Sequence, residues 1–79
     1  MAKYHFHLID GGERIEDEDG VELEGLDVAR AQALAGARSI MAEDLRRGRV
    51  SLQPRIEVQD DEGRTLFALP FADAVELRR

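Results

Sequence analysis

The sequence predicts an α+β domain: a four-stranded, largely antiparallel sheet in the order strand, strand, helix, strand, strand, with one long helix on one face. Three observations lead there. Large residues alternate from Tyr4 to Ile9. An alanine-rich stretch from Asp27 to about Arg47 repeats its apolar residues at helical spacing. A second alternating pair, Arg55–Gln59 and Thr65–Leu69, flanks Asp60-Asp61-Glu62-Gly63.

In the first strand, Tyr4, Phe6 and Leu8 share one face while His5, His7 and Ile9 share the other. Gly11-Gly12 then suits a two-residue hairpin turn, which needs positive φ at its centre. That loop sets Leu8 opposite Ile15 and His7 opposite Glu16; moving it to Asp10-Gly11 shifts the partners by two and keeps Ile15 on the same face. Gly20 to Gly25 reads as a short extended or irregular connection. Asp27 is the candidate helix N-cap, with Leu26 covering the first turn. Gly48 is the stop, and Arg46-Arg47 sit at the negative end of the helix dipole.

At 100° per residue Ala29, Ala33, Leu34, Ala37, Ile40 and Met41 fall on one side of the helix, and Gln32, Ser39, Glu43 and Arg46 on the other. Small alanine contacts allow the helix to lie close to the sheet. Pro54 marks the start of the third strand. A type I turn with Gly63 in the left-handed region pairs Asp60 with Arg64, Val58 with Leu66 and Ile56 with Ala68. Ile56, Val58, Leu66 and Ala68 would then face the helix, and Thr65, Phe67 and Leu69 the other way. Pro70 ends the last strand, and the tail from Phe71 to Arg79 is expected to form a short turn or helix.

The 79 residues make a single domain, residues 1–79. A chain this short removes only about 60% of its unfolded-state surface from water, so its stability is marginal. It has no cysteine, which excludes disulfides, thiolate metal sites and a thiol nucleophile. Neither a basic-then-apolar leader nor a membrane-length apolar run is visible, and the expectation is a soluble, cytoplasmic protein. Seventeen acidic residues against eleven basic ones leave a formal charge of −6, which disfavours direct nucleic-acid binding. The acids cluster in Glu16–Asp19 and Asp60–Glu62, beside glycines, as solvated turns do. A calcium loop fails on spacing: with Gly20 or Gly63 at the invariant glycine, Ile15 or Val58 takes the first ligand position and Leu26 or Leu69 the last.

The chemistry is sparse. His5 and His7 point the same way, with Glu16 beside His7 in the double-glycine register, and together form the candidate metal set. Alternation alone aligns any such pair, so outward structural or interface histidines are the simpler reading, and no metal or other cofactor is expected. An imidazole beside a carboxylate such as Glu16 is also a candidate pH-sensitive contact. Ser39 and Ser51 have no base nearby in sequence, and no phosphate loop or nucleophile elbow is present. Arg46, Arg47 and Arg49 suit the helix end and solvation better than a phosphate contact.

The segments "YHFHLIDGG", "DEDGVEL", "LDVARAQAL" and "RIEVQDDEGRTLFALPFADAV" together resemble a family of small uncharacterised bacterial proteins, best known among alphaproteobacteria. The resemblance spans nearly the whole chain and implies a compact stand-alone domain with no established activity and no catalytic residues to carry over.

One helix covers one face of a sheet, so the other face is expected to be open. Ile9, Phe67 and Leu69, with Phe71 at the margin and His5 and His7 beside them, form the expected interface patch. The functional expectation is a non-enzymatic interaction domain, a homodimer or a partner-binding module, using that face or an edge strand. The alternatives are an antitoxin-like regulator covering a small basic partner, by fold analogy, and a metal-dependent protein using His5, His7 and Glu16.

Overall fold

A computed structural model describes residues 1–78. The elements are β1 (Ala2–Asp10), β2 (Glu13–Ile15), β3 (Val21–Leu23), α1 (Leu26–Arg46), β4 (Arg55–Asp60) and β5 (Thr65–Pro70), followed by a short 3-10 turn at Phe71–Ala74. All strand pairs are antiparallel, and the order across the sheet is β2-β1-β4-β5, with β3 also on β1. Among the described residues there are thus five strands, one more than expected. The extra one is β3, formed where a short extended or irregular connection was anticipated. It pairs Ala2 with Leu23 and Tyr4 with Val21, on the same edge of β1 where β2 pairs Leu8 with Ile15 and Asp10 with Glu13. The long strand β1 therefore has one continuous neighbour, β4, and one divided neighbour, β2 and β3.

The first hairpin takes the double-glycine register, Gly11 at φ 62 supplying the positive dihedral. The helix ends as expected: Arg47 caps it, Gly48 adopts φ 91, and the Gly48 and Arg49 amides donate to the carbonyls of Leu45 and Asp44. Its start differs. Leu26 is already helical and extended Gly25 is the N-cap, its carbonyl accepting from the Ala29 amide at 3.0 Å, while no side chain caps the end. Asp27 therefore lies in the first turn, where its charge still favours the positive end of the dipole.

Ala29, Ala33, Ala37 and Met41 are the buried helix positions and pack with Tyr4, Ile56, Val58, Leu69, Phe71 and Ala74. Ile40 stays exposed, and Leu34 is partly buried. Burial of each large member contributes about 1.5–3 kcal/mol, which makes so small a core sensitive to single changes.

The second hairpin holds the main correction. Its loop forms as expected, with the Asp60 amide donating to the Arg64 carbonyl at 2.9 Å and Gly63 at φ 85. Gln59 pairs with Thr65, but Val58 then pairs with Phe67 and Ile56 with Leu69. Leu66 is the extra residue of a β-bulge. Because side chains alternate with period two, one inserted residue exchanges the two faces for the rest of the strand. Phe67 and Leu69 consequently face the helix, and Leu69 is only 5% exposed. After Pro70 the chain turns back, so Phe71 enters the core at 1% exposure, its amide donating to the Pro54 carbonyl at 2.9 Å. Arg30 lies 4.5 Å over the Phe67 ring, and the Arg38 Nε donates to the Ala74 carbonyl at 2.7 Å. Of the predicted tail, Arg79 lies outside the described residues.

Two adjacent helix positions test the close helix–sheet contact. A Cβ built at Gly36 meets only Ile56 Cδ1 at 3.6 Å, an ordinary contact. Gly36→Ala should therefore raise stability by about 0.5–1 kcal/mol through helix propensity. Ala37, with no exposed surface, has no such space; Ala37→Leu should cost about 1–3 kcal/mol or more by overpacking. Urea unfolding midpoints of the two variants, moving in opposite directions, check the pair.

Candidate functional site

The sheet face away from the helix carries a hydrogen-bonded polar network where an apolar patch was expected. The register sets His5 opposite Gln59, His7 opposite Glu57 and Ile9 opposite Arg55. Ile9 is also paired with Arg14 across β2, so two arginine stems flank it and leave it 8% exposed. The six expected interface residues are thus divided. His5, His7 and Ile9 lie on the outer face, whereas Phe67, Leu69 and Phe71 belong to the core on the other side. The bulge at Leu66 puts Phe67 and Leu69 on the far side, and the turn after Pro70 carries Phe71 there.

Asp17 organises the network. It sits in the loop between β2 and β3, beside the part of β1 that neither short strand pairs. Its carboxylate accepts from the Phe6 amide (3.0 Å) and from the Gly20 amide (3.2 Å), taking the place of a neighbouring strand's carbonyl. Its own amide donates to His7 Nδ1 at 3.0 Å, and its carbonyl lies 2.8 Å from His5 Nδ1. One residue thus bonds to three consecutive positions of β1. Gly20 adopts φ 69, and a Cβ there would come within 2.8 Å of the His5 ring and 3.0 Å of the Tyr4 carbonyl. Glycine is required at that position for both dihedral and space.

The two rings stack with centroids 6.1 Å apart and planes 10° apart. Their bonding differs. His7 is 5% exposed; Nδ1 accepts from Asp17, so Nε2 carries the hydrogen and donates to Gln59 Oε1 at 3.1 Å. Gln59 Nε2 donates in turn to Glu57 at 3.2 Å and to Thr65 Oγ1 at 3.1 Å, and Arg14 joins Glu57 to Glu16, both at 3.1 Å. His5 faces an acceptor at both nitrogens: the Asp17 carbonyl and Asp61 Oδ1, the latter at 3.1 Å. The Asp17 carbonyl first, and then the Asp61 carboxylate, raise its pKa above the ordinary histidine value. The carboxylate beside a histidine is therefore Asp61, whereas Glu16 is held by Arg14.

For a metal, His5, His7 and Glu16 are poorly placed. Both nitrogens of each histidine already point at protein groups, and among the described residues no cluster of three or more potential ligand side chains could hold an ion. Every buried side-chain polar atom among them has a partner. The recess lined by His5, His7, Asp17, Gln59 and Asp61 is shallow and built from groups that satisfy one another.

The loop residue that sequence reasoning missed had a signal. Asp17 stands three residues before Gly20, the spacing at which aspartate and glycine are favoured at the first and fourth positions of a type I turn. A second recess, of about 260 Å³, is apolar. It lies at the helix C-terminal end between Met41, Leu45, Val50, Leu52, Val75 and Leu77, with Leu45 63% and Leu77 78% exposed.

Asp17→Ala removes two acceptors at once and leaves the Phe6 and Gly20 amides to find others. It should lower stability by about 1–3 kcal/mol for each amide left unpaired, while Asp17→Asn, which keeps one oxygen, should cost less. Thermal unfolding of the two variants orders them.

Comparison with known proteins adds family membership and no activity. No curated protein and no solved structure matches the chain. A family model described as Domain of unknown function (DUF6894) matches residues 3–72. That span runs from β1 through the start of the 3-10 turn and takes in all five strands, the helix and the Asp17 network, so the chain belongs to this family.

Proposed function

We propose that the chain is a small non-enzymatic interaction module that pairs with a second copy of itself along β5. The observation that carries this is the contrast between the two sheet edges. On one side, β2 and β3 are three residues each, carry Glu13, Arg14 and Glu22, and are separated by the Asp17 loop. Charges and interruptions of this kind discourage foreign strands. On the other side, β5 has no neighbour beyond it among the described residues, and Thr65–Pro70 contains no charged residue. An unpaired outer strand presents alternate amides and carbonyls as a template for another strand. Leu66, at the bulge, adds an apolar side chain that is 40% exposed.

A second copy suits this edge by charge. In an antiparallel β5–β5 pair, the acidic turn Asp61-Glu62 of one copy approaches the Pro70 end of the other, where Arg38 lies against Ala74. A two-fold axis normal to the sheet keeps both helices on one side. The bulge and the missing amide of Pro70 shorten the ladder. Six residues span only about 20 Å, and one edge strand of that length covers much less than the roughly 800 Å² per partner of a standard interface. The association is therefore weak and reversible. The polar outer face leaves the edge, rather than that face, as the contact. No helix among the described residues is long and apolar enough to cross a membrane.

Sedimentation equilibrium should show a concentration-dependent rise from monomer mass toward twice that value. Leu66→Lys should abolish the rise while changing stability by no more than about 0.5 kcal/mol, as for an ordinary surface site. A wild-type chain that stays monomeric up to its solubility limit would overturn the proposal.

A further inference from the structure

We propose that His5 is a proton-operated clasp, joining the β2–β3 loop to the β4–β5 turn when its ring is doubly protonated and releasing the turn when it is not. The geometry carries the assignment. A neutral imidazole has one donor and one acceptor, yet His5 faces oxygens at both nitrogens: the carbonyl of Asp17 at 2.8 Å and the carboxylate of Asp61 at 3.1 Å. Neither oxygen has a hydrogen to give at neutral pH, so both contacts are bonds only for the imidazolium. His7, stacked on the same strand, shows the opposite arrangement, receiving a hydrogen at Nδ1 and donating one from Nε2. Hydrogen bonding therefore places the single additional proton of the pair on His5.

The surroundings favour a positive ring. From the β2–β3 loop Glu16, Asp17 and Glu18 face the recess, and from the end of β4 and its turn Asp60 and Asp61 do. Glu16 is tied to Arg14 and Asp60 to Arg64, which leaves Asp61 as the carboxylate bonded to His5. Glu57, on β4 opposite His7, is paired with Arg14 and Arg55; Lys3 shares the β1 face one pleat away. Gly20 lies beside the ring, where a Cβ would come within 2.8 Å of its edge.

Loss of the proton leaves Nε2 and Asp61 Oδ1 as two acceptors facing each other, while the remaining N–H keeps the shorter bond to the Asp17 carbonyl. The Asp61 side is therefore the one that opens. Since the folded ring binds its proton more tightly than the unfolded one, the clasp contributes fully below the unfolded histidine pKa of about 6.5. Its contribution disappears as pH rises through the raised value of the folded protein.

An NMR titration of the ring carbons, with backbone amide shifts followed in parallel, tests the clasp. His5 should titrate above the ordinary histidine value, and the amides of Asp61, Glu62 and Gly63 should shift with the same midpoint. Asp61→Asn, a change at an exposed side chain, should lower the His5 midpoint and uncouple those amides while the rest of the spectrum stays in place. An ordinary midpoint in the wild type, turn amides that ignore it, or a midpoint unmoved in Asp61→Asn would each overturn the proposal. These readouts are made on the monomer at low concentration, so they stand apart from self-association.

Discussion

A single helix must shield the apolar side of five strands, and the close contact along Ala29, Ala33 and Ala37 makes that possible. With alanine methyl groups on the helix side, the helix packs closely on Tyr4, Ile56, Val58 and Leu69 of the sheet and on Phe71 and Ala74 of the chain after Pro70. The core has few large members: Phe71 and Val58 are the largest side chains almost wholly removed from water. In a domain without disulfides, such a core leaves little reserve. The bond from the Phe71 amide to the Pro54 carbonyl and the one from the Arg38 side chain to the Ala74 carbonyl matter for that reason, since they hold the returning segment against the entry to β4 and against the helix.

The opposite face obeys a different constraint. Open to water, it is filled by polar groups that bond to one another, from the Asp61 side chain through His5, the Asp17 backbone, His7 and Gln59 to Glu57, Arg14 and Glu16. The network spans β1, β2, β4 and two loops, and its central member is a short acidic side chain rather than a strand. A carboxylate standing in for a ladder carbonyl lets the edge change partners from β2 to β3 without leaving the Phe6 amide unpaired.

Much of this was legible in the sequence because it depends on local chemistry. Double glycine with flanking alternation narrowed the first hairpin to two registers, of which the Leu8–Ile15 one forms; Gly48 ended the helix; the Asp60–Arg64 loop followed from its turn residues. What was not legible depended on parity over distance. Nothing in Thr65-Leu66-Phe67 announces that Leu66 will be skipped, yet that one residue moves Phe67 and Leu69 from the outer face to the core. Burial decides the matter: two large apolar groups beneath the helix outweigh one bulge and an exposed leucine. The tie between His5 and Asp61 was hidden for a similar reason, since it crosses most of the chain in sequence and arises only once β1 and β4 are neighbours.

That neighbourhood has a kinetic consequence. The central strand pair joins the first strand of the chain to the fourth, and even its closest partners in sequence, Ile9 and Arg55, have more than half the chain between them. The two hairpins and the helix can each begin to form from nearby residues, but the sheet is completed only by closing that long loop, an entropic toll that slows folding. During synthesis, β1 must therefore wait until β4 has left the ribosome, and a nascent chain cut short before Arg55 exposes the flank of β1 that the finished domain never shows.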